Sequence, residues 1–244
     1  MSKASRVDST AGPRPSPVVL ACDTSTRVAS LALMEGDDLT AESVILAPAG
    51  ANHSRRLVAD IDAILARREL TPAHIDLLVS SLGPGSFTGV RIALATLRGL
   101  AFALDKPLVG VCSLDALAHP LLGRSECVLA ALDARRKEVY AALYAPDGET
   151  LIVPGAWNPE RLAAEVTNRC PGDVIGVGEG IGAYRDVFVT GLGDRFVAAE
   201  PSFNVIRASV MADMGQVNPR EGLDPLYCRR SEAEVKKSAR TDGP

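Results

Sequence analysis

Short apolar runs separated by polar turns dominate the first part of this chain. Residues 18–22 (VVLAC) and 28–34 (VASLALM) flank the polar turn 23–26 (DTST), a pattern that predicts two strands joined by a loop. Residues 53–70 then place apolar residues three and four positions apart, with arginines and aspartates between them. This spacing predicts an amphipathic helix, which Pro72 closes.

A strand, a glycine-rich loop and a helix follow in direct succession. Residues 75–82 are an apolar strand, 83–89 read GPGSFTG, and 90–104 form an apolar run of helical length. Strands alternating with helices predict an α/β fold with mostly parallel pairing, apart from the opening hairpin of each half. In the remainder, strands are predicted at 108–113, 128–133, 139–144, 173–177 and 195–199, and helices at 114–122, at 159–168, from Ala183 and at 205–216.

The chain repeats its opening pattern. Residues 128–133 (VLAALD) match 18–23 (VVLACD) at an offset of 110 residues, and each copy leads through a polar turn into a second apolar strand. A repeat of that length indicates a duplicated domain rather than a solenoid, whose repeats span about 20–50 residues. We therefore expect two subdomains, 18–112 and 113–230, between a disordered tail, 1–17, and a flexible tail, 231–244.

Composition is that of an ordinary globular protein with one large or two small domains. The chain has 244 residues, of which 47% are hydrophobic and 23% charged. Its 26 lysines and arginines are outnumbered by 30 acidic residues. The net charge of −4 is opposite in sign to that of a protein that binds nucleic acid without a partner. No run approaches the roughly 20 apolar residues of a membrane span, and residues 1–17 lack the apolar stretch of a secretory signal. We expect a cytoplasmic protein.

Cysteines and histidines lack the spacing of metal-binding patterns. The five cysteines are scattered and never spaced as CxxC, so we interpret them as reduced core thiols rather than a disulfide framework or a zinc site. His53, His74 and His119 lie too far apart to form an HxxxH or HExxH pattern. No metal site is predicted.

The turn after the first strand is a candidate phosphate site. Asp23, Thr24 and Ser25 offer a carboxylate, two hydroxyls and backbone amides in a tight turn, groups that can hold a phosphate, a metal or a water. The alternative is a plain hairpin turn in which Asp23 bonds its own backbone.

The glycine loop before the long helix is a second candidate. Gly83, Gly85 and Ser86 directly precede a helix N-terminus, whose free amides and dipole favour an anion. No Lys-Ser or Lys-Thr follows, so the loop is not a P-loop, and a rigid turn capped by Ser86 or Thr88 is equally compatible with the sequence.

A dinucleotide-type motif lies in the second half. Residues 178–183 (GEGIGA) fit G-x-G-x-x-A between a strand and a helix, with Gly178 and Gly180 as the leading glycines and Glu200 at the end of the next strand. The alternative is a chance match in a chain with 21 glycines, since the helix that follows is short.

The helix at 90–104 is apolar almost all round, which a helix with one side in water should not be. Ala95, Gly99 and Ala103 recur every four residues and would let another helix approach closely. Either helix 54–69 of the same chain covers it, or a protein partner does.

Taken together, the runs LACDTSTRVASLAL, NHSRRL, LGPGSFTGVRIALATLRGLA, LDARRKEVYAALY and DPLYCRR resemble the TsaB (YeaZ) family, over about residues 18–230. The resemblance implies a duplicated actin-like α/β fold of the sugar-kinase and ribonuclease H type. It also implies a non-catalytic scaffold that binds a catalytic paralogue, TsaD. That partner would hold the metal and transfer the threonylcarbamoyl group to N6 of the adenosine adjacent to the anticodon in tRNAs that read ANN codons.

The resemblance further implies a surface for that partner on the helices 54–69 and 89–104, or for a second copy of this chain when TsaD is absent. A TsaE-type ATPase would join the larger complex, tRNA would be contacted indirectly, and this chain would require no cofactor, with weak contact to ATP or ADP left open. An actin-fold phosphotransferase or ATPase, a glycoprotease-type peptidase and an NAD-binding enzyme are the alternatives. The expected interface residues are His53, Leu57, Ile61, Ile64, Arg91, Leu94, Leu97, Arg98 and Ala101.

Overall fold

The structure, a computed structural model, describes residues 16–46, 54–217 and 223–228, and within these ranges it contains two five-stranded sheets. The predicted tails therefore lie almost wholly outside the described residues, although the first strand begins at Val18 as expected. The strands are β1 (Val18–Asp23), β2 (Val28–Glu35), β3 (Asp38–Leu46), β4 (Leu77–Ser81), β5 (Leu108–Val111), β6 (Cys127–Arg135), β7 (Glu138–Tyr144), β8 (Thr150–Trp157), β9 (Val174–Val177) and β10 (Phe196–Ala198). The α-helices are α1 (Ser54–Ala66), α2 (Phe87–Leu104), α3 (Ser113–Ala118), α4 (Pro159–Arg169), α5 (Glu179–Ala183), α6 (Arg185–Leu192) and α7 (Ala208–Val217), and short 3₁₀ helices lie at Pro72–His74, His119–Leu121, Gly193–Arg195 and Pro201–Phe203.

The two sheets have the same topology. In the first, the order is β3-β2-β1-β4-β5, with β1, β2 and β3 antiparallel and β4 and β5 parallel to β1. In the second, the order β10-β9-β6-β7-β8 repeats this arrangement around β6. The central strands β1 and β6 contain the two segments that match at an offset of 110 residues. The predicted duplicated actin-like fold is confirmed.

Apolar side chains fill three layers. One core lies between the first sheet and α1 and α2, another lies between the second sheet and α4 to α6, and the third joins the inner faces of the two sheets through α3 and α7. Because α7 packs on β1 and β2, the end of the chain returns to the first sheet after building the second. Helix α7 falls within the predicted second subdomain, 113–230, and that boundary stays a prediction.

Buried polar contacts fix the start of α7. Ser30 on β2 accepts a hydrogen bond from the amide of Ala208 at 2.8 Å, and Glu42 on β3 accepts from Arg207 and from the amide and hydroxyl of Ser209. Burial by itself raises the pKa of Glu42, but these hydrogen bonds outweigh it and hold the pKa below its ordinary value. A carboxylate at this helix N-terminus also interacts favourably with the helix dipole.

Two strands were absent from the prediction. β3 and β8 extend each opening hairpin to a three-stranded meander. Both are edge strands, and Leu39 and Val44 on β3 and Val153 on β8 are exposed, so their apolar residues do not alternate as those of a half-buried strand do.

The interpretation of all five cysteines as reduced thiols is wrong. Cys127 and Cys170 form a disulfide, whereas Cys22, Cys112 and Cys228 are free. β9 begins shortly after Cys170 and pairs in parallel with β6, where Cys127 is opposite Val174. This pairing brings two cysteines that are 43 residues apart to one end of the sheet.

Helix α2 is long and apolar enough, by length and composition alone, to cross a membrane. It spans 18 residues, and in the structure its inner face packs on the first sheet while Arg91 and Arg98 lie on its exposed side. One face of α2 is therefore buried and the other is exposed, and the exposed face is part of the site described next.

Candidate functional site

The turn after β1 is buried and internally bonded. Asp23, Thr24 and Ser25 are at most 1% exposed. Asp23 Oδ1 accepts a hydrogen bond from the amide of Ser25 at 3.0 Å, and Thr24 Oγ1 donates to the carbonyl of Gly89 at 2.7 Å. The hydroxyl of Ser25 is 3.1 Å from that of Ser113. Asp23 Oδ1, the hydroxyls of Thr24 and Ser25 and the amide of Ser25 are therefore engaged with protein atoms.

The glycine loop lies directly on this turn. The amide of Ser86 donates to the carbonyl of Ser25 at 2.6 Å, and the hydroxyl of Ser86 caps α2 by accepting from the amide of Gly89 at 3.2 Å. A Cβ added at Gly85 would lie 2.8 Å from the Cβ of Ser25, and one added at Gly89 would lie 3.0 Å from the carbonyl carbon of Thr24, so both glycines allow a close backbone approach. The two candidate phosphate loops are therefore adjacent, and they pack against each other. Gly83 belongs to the same junction, since its carbonyl accepts from the amide of Ser113.

The glycines of the dinucleotide-type motif serve packing. Gly178 has φ of 105° and its amide donates to Asn204 Oδ1 at 2.7 Å. A Cβ on Gly180 would lie 2.9 Å from the backbone of Ala131 and Leu132, so β6 requires a glycine there. The motif itself forms the helix, α5, which has only five residues. Close packing of α5 on β6 accounts for the motif, and its nucleotide role stays a prediction.

The second-half turn has a different surface chemistry. Arg135, Arg136 and Lys137 are exposed and have positive φ values of 60°, 55° and 64°. Asp133 Oδ1 accepts from the amide of Arg135 at 2.9 Å. Burial raises the pKa of Glu179 on α5, and the Asp133 carboxylate nearby raises it further, against the opposing effect of Arg135 and Arg27. Charged groups from the turn after β1 and from the end of β6 therefore both act on the pKa of Glu179.

Most of the side chains expected to meet a partner face the core of this chain instead. Leu57, Ile61 and Ile64 on α1 and Leu94 and Leu97 on α2 are all at most 4% exposed. The apolar stripe of each helix packs on the first sheet, and the role of these five residues in a partner contact stays a prediction. Ala101 is half-buried, Arg91 and Arg98 are exposed, and His53 lies outside the described residues.

The outer face of α1 and α2 carries apolar residues of its own. Phe102 is 93% exposed and Val58 is 53% exposed. Ala95, Gly99 and Ala103 are exposed as well, and a Cβ added at Gly99 meets nothing within 4 Å. The every-fourth-residue pattern on α2 indicated this face, whereas Val58 and Phe102 could have been found only as apolar residues outside the buried stripe.

Among the described residues, no three His, Cys, Asp or Glu side chains are grouped so that they could hold a metal. The free thiols Cys22 and Cys112 are buried, and burial raises the pKa of Cys112 to about 12. The site is therefore a polar junction closed by the chain itself, next to an exposed apolar helix face.

Two five-stranded sheets with the same strand topology define a protein of the actin-like class. In this protein the turn after β1 and the glycine loop close on each other between the strands and α2. A family model described as "TsaD: tRNA N6-adenosine threonylcarbamoyltransferase" matches residues 44–237. The chain is 30% identical to the tRNA threonylcarbamoyladenosine biosynthesis protein TsaB of Bacillus subtilis, over 89% of this chain and 96% of that protein, and 30% identical to TsaB of Escherichia coli, over 88% and 96%. The solved structure of YeaZ from Pseudomonas aeruginosa is similar with a TM-score of 0.72 at 30% identity, over 86% of this chain and 99% of that one. The chain belongs to the TsaB (YeaZ) family.

Proposed function

We propose that this chain is a non-catalytic subunit that supports the formation of threonylcarbamoyladenosine in tRNA by binding a TsaD-type subunit. The TsaB relatives are named for that biosynthesis, and the matching family model is named for the transferase. In this proposal, the partner carries out the transfer to N6 of adenosine. This chain favours the active conformation of the partner by binding it better than the inactive one.

The observation that carries the proposal is the exposed apolar face of α1 and α2. Phe102 is almost fully exposed, and burying a phenylalanine side chain contributes roughly 1.5–3 kcal/mol. Ala95, Gly99 and Ala103 leave a shallow surface beside it, and small residues let helices pack at the short end of the usual 8–10 Å separation. A pair of helices on the partner would fit this face.

The closed junction supports the non-catalytic part of the proposal. A phosphotransferase of this fold would need backbone amides and hydroxyls that face a bound phosphate. Here Thr24 Oγ1 donates to Gly89 O, and the amide of Ser86 donates to Ser25 O. These donors would have to exchange their partners before they could hold a nucleotide.

Reconstitution of the transfer reaction tests the function. Transfer of the threonylcarbamoyl group from threonylcarbamoyl-adenylate to tRNA, with release of AMP, is measured with a TsaD-type subunit and the ATPase of the system, with and without this chain. We expect modification to depend on this chain, and modification at the same rate without it would contradict the proposal.

A matched pair of variants tests the surface. Phe102→Glu on α2 and Val153→Glu on β8 each place a charge at an exposed apolar position, 93% and 70% exposed. Neither side chain is part of the core, so both variants should fold. We expect Phe102→Glu to abolish binding to the TsaD-type subunit in calorimetry and Val153→Glu to leave it unchanged. Equal binding by both variants would refute the assigned face.

A further inference from the structure

A segment near the end of the chain, Leu223–Cys228, runs along α2, and we name it the C-terminal strap. Arg98 Nη2 donates to the carbonyl of Leu223 at 2.6 Å. The amide of Leu226 donates to the carbonyl of Leu82 at 2.7 Å, and the Leu226 side chain packs on the core between the sheets. Backbone and side-chain contacts therefore both hold the strap on the first half of the chain.

The other end of the strap is held by an arginine that contacts two neighbouring aromatic rings. Arg91 Nε donates to the hydroxyl of Tyr227 at 2.9 Å. The Arg91 guanidinium lies 3.6 Å from the ring centroid of Phe87 and 5.6 Å from that of Tyr227, and the two rings are 5.4 Å apart. A planar guanidinium can stack on a ring and donate a directed hydrogen bond at the same time, which a lysine cannot do.

The arginines that hold the strap belong to the outer face of α2. Arg91, Ala95, Arg98 and Phe102 are spaced by four, three and four residues, so they form one stripe along the helix. Leu223 lies at Arg98 and Tyr227 at Arg91, and the strap therefore runs antiparallel to α2 beside this stripe. A partner that covers Phe102 would meet the strap at the edge of its contact surface.

The strap also reaches the second half of the chain. The Leu226 side chain packs against the core between the sheets, which includes Leu132 on β6 and Ala142 on β7. Cys228 is partly buried, and burial raises the pKa of its thiol. The strap thus touches both subdomains and the docking face at once.

We propose that the C-terminal strap is part of the surface that binds the TsaD-type subunit, and that Arg91 and Arg98 are positioning residues that hold it there. This inference rests on the proposed function for the identity of the partner. The family model of the transferase matches residues 44–237, a range that includes α1, α2 and the strap, so this part of the chain is related in sequence to the transferase. Two related chains can then pair through similar surfaces, as in an isologous contact.

Cys228 provides a direct readout of the strap in the free chain. It is the accessible free thiol, since Cys22 and Cys112 are fully buried and Cys127 and Cys170 are bonded to each other. The rate at which an aromatic disulfide reagent labels native protein therefore reports how well the strap is held. We expect Arg91→Ala and Arg98→Ala to increase this rate several-fold, and Arg185→Ala, at an exposed arginine on α6, to leave it unchanged.

Binding to a TsaD-type subunit is then measured for the same variants by calorimetry. We expect Arg91→Ala together with Arg98→Ala to weaken binding about tenfold, because the strap is then no longer held beside α2 and has to be ordered when the partner binds. Tyr227→Phe, which keeps the ring and removes the hydroxyl that accepts from Arg91, should give a smaller loss. Arg185→Ala should bind as the unmodified chain does.

The outcomes separate the strap from the proposed function. Unchanged labelling in the arginine variants, or faster labelling with unchanged affinity, would overturn the role of the strap while the docking face stands. Failure of the unmodified chain to bind would overturn the proposed function, and the docking role of the strap with it. Weaker self-association with unchanged binding to the TsaD-type subunit would overturn the choice of partner in favour of a second copy.

Discussion

Two glycines of α2 should respond in opposite directions to the same substitution. Gly89 lies in the first turn of the helix, where a Cβ would overlap the carbonyl of Thr24, and Gly99 lies ten residues later, where a Cβ meets nothing within 4 Å. Alanine is favoured over glycine in a helix by about 1 kcal/mol at either position. At Gly89 the new methyl group would have to displace the backbone of Thr24, whereas at Gly99 it would displace nothing.

The expected magnitudes follow from these contacts. Gly99→Ala should raise the free energy of unfolding by about 0.8–1.0 kcal/mol. For Gly89→Ala, overpacking costs about 1–3 kcal/mol, and loss of the buried 2.7 Å bond from Thr24 Oγ1 to Gly89 O costs about 1–3 kcal/mol more, against the gain of about 1 kcal/mol. The net expectation is a loss of about 3 kcal/mol.

Urea denaturation of the two variants measures the difference. Far-ultraviolet circular dichroism reports both halves of the chain, and the fluorescence of Trp157, the only tryptophan, reports the second. Protein concentration is kept low because Gly99 lies on the proposed docking face, where association would add to the apparent stability. If Gly89→Ala is as stable as the unmodified chain, or if both variants lose equally, the glycine loop does not lie on the turn after β1.

Three further predictions concern other parts of the fold. Asp105 caps α2 with φ of 52° and a charge that the helix dipole disfavours, so Asp105→Gly should raise the free energy of unfolding by about 1 kcal/mol in urea denaturation, and a loss would refute the cap. Because hydrogen bonds from Arg207 outweigh burial and lower the folded-state pKa of Glu42, the stability it contributes is present at neutral pH and is lost as pH falls through that lowered pKa. Glu42→Gln should therefore cost about 1–2 kcal/mol at neutral pH and less in acid, and a pH-independent difference in thermal unfolding would contradict this. Reduction of the Cys127–Cys170 disulfide, which closes a loop of 43 residues, should cost up to about 4 kcal/mol, and unchanged thermal unfolding after reduction verified by mass would refute it.

Local pattern predicted most elements in their order, apart from the edge strands β3 and β8, but it did not predict which faces are buried. The strands around 18–23 and 128–133 were predicted because each is a short apolar run before a polar turn, and their shared topology follows from the repeat. The buried stripe of α1 was visible too, yet Leu57 and Ile61 were assigned to a partner, although such a stripe normally packs inside its own chain. On α2, apolar almost all round, the sequence alone could not distinguish the inner face from the outer.

Contacts between distant segments were the other part that the sequence could not provide. The turn after β1 and the loop after β4 were each recognised as polar sites, and parallel strands place their carboxyl ends at one edge of the sheet. That the loop closes directly on the turn depends on the bond from Thr24 to Gly89, across 65 residues. Arg91 and Tyr227 are 136 residues apart, and no local signal pairs them.

The duplication explains why an aspartate recurs after each central strand. Asp23 Oδ1 accepts from the amide of Ser25 at 3.0 Å, and Asp133 Oδ1 accepts from the amide of Arg135 at 2.9 Å, so both aspartates make the same bond to the amide two residues ahead. The turns then diverge, since the first is buried under the glycine loop, whereas the second holds exposed basic residues in a left-handed backbone that costs roughly 1–2 kcal/mol per residue. Turn geometry common to both halves is therefore a sufficient reason for the repeated aspartate, without a shared phosphate. Since the repeat does not require retained chemistry, the exposed face of α1 and α2 is the better guide to what this chain does.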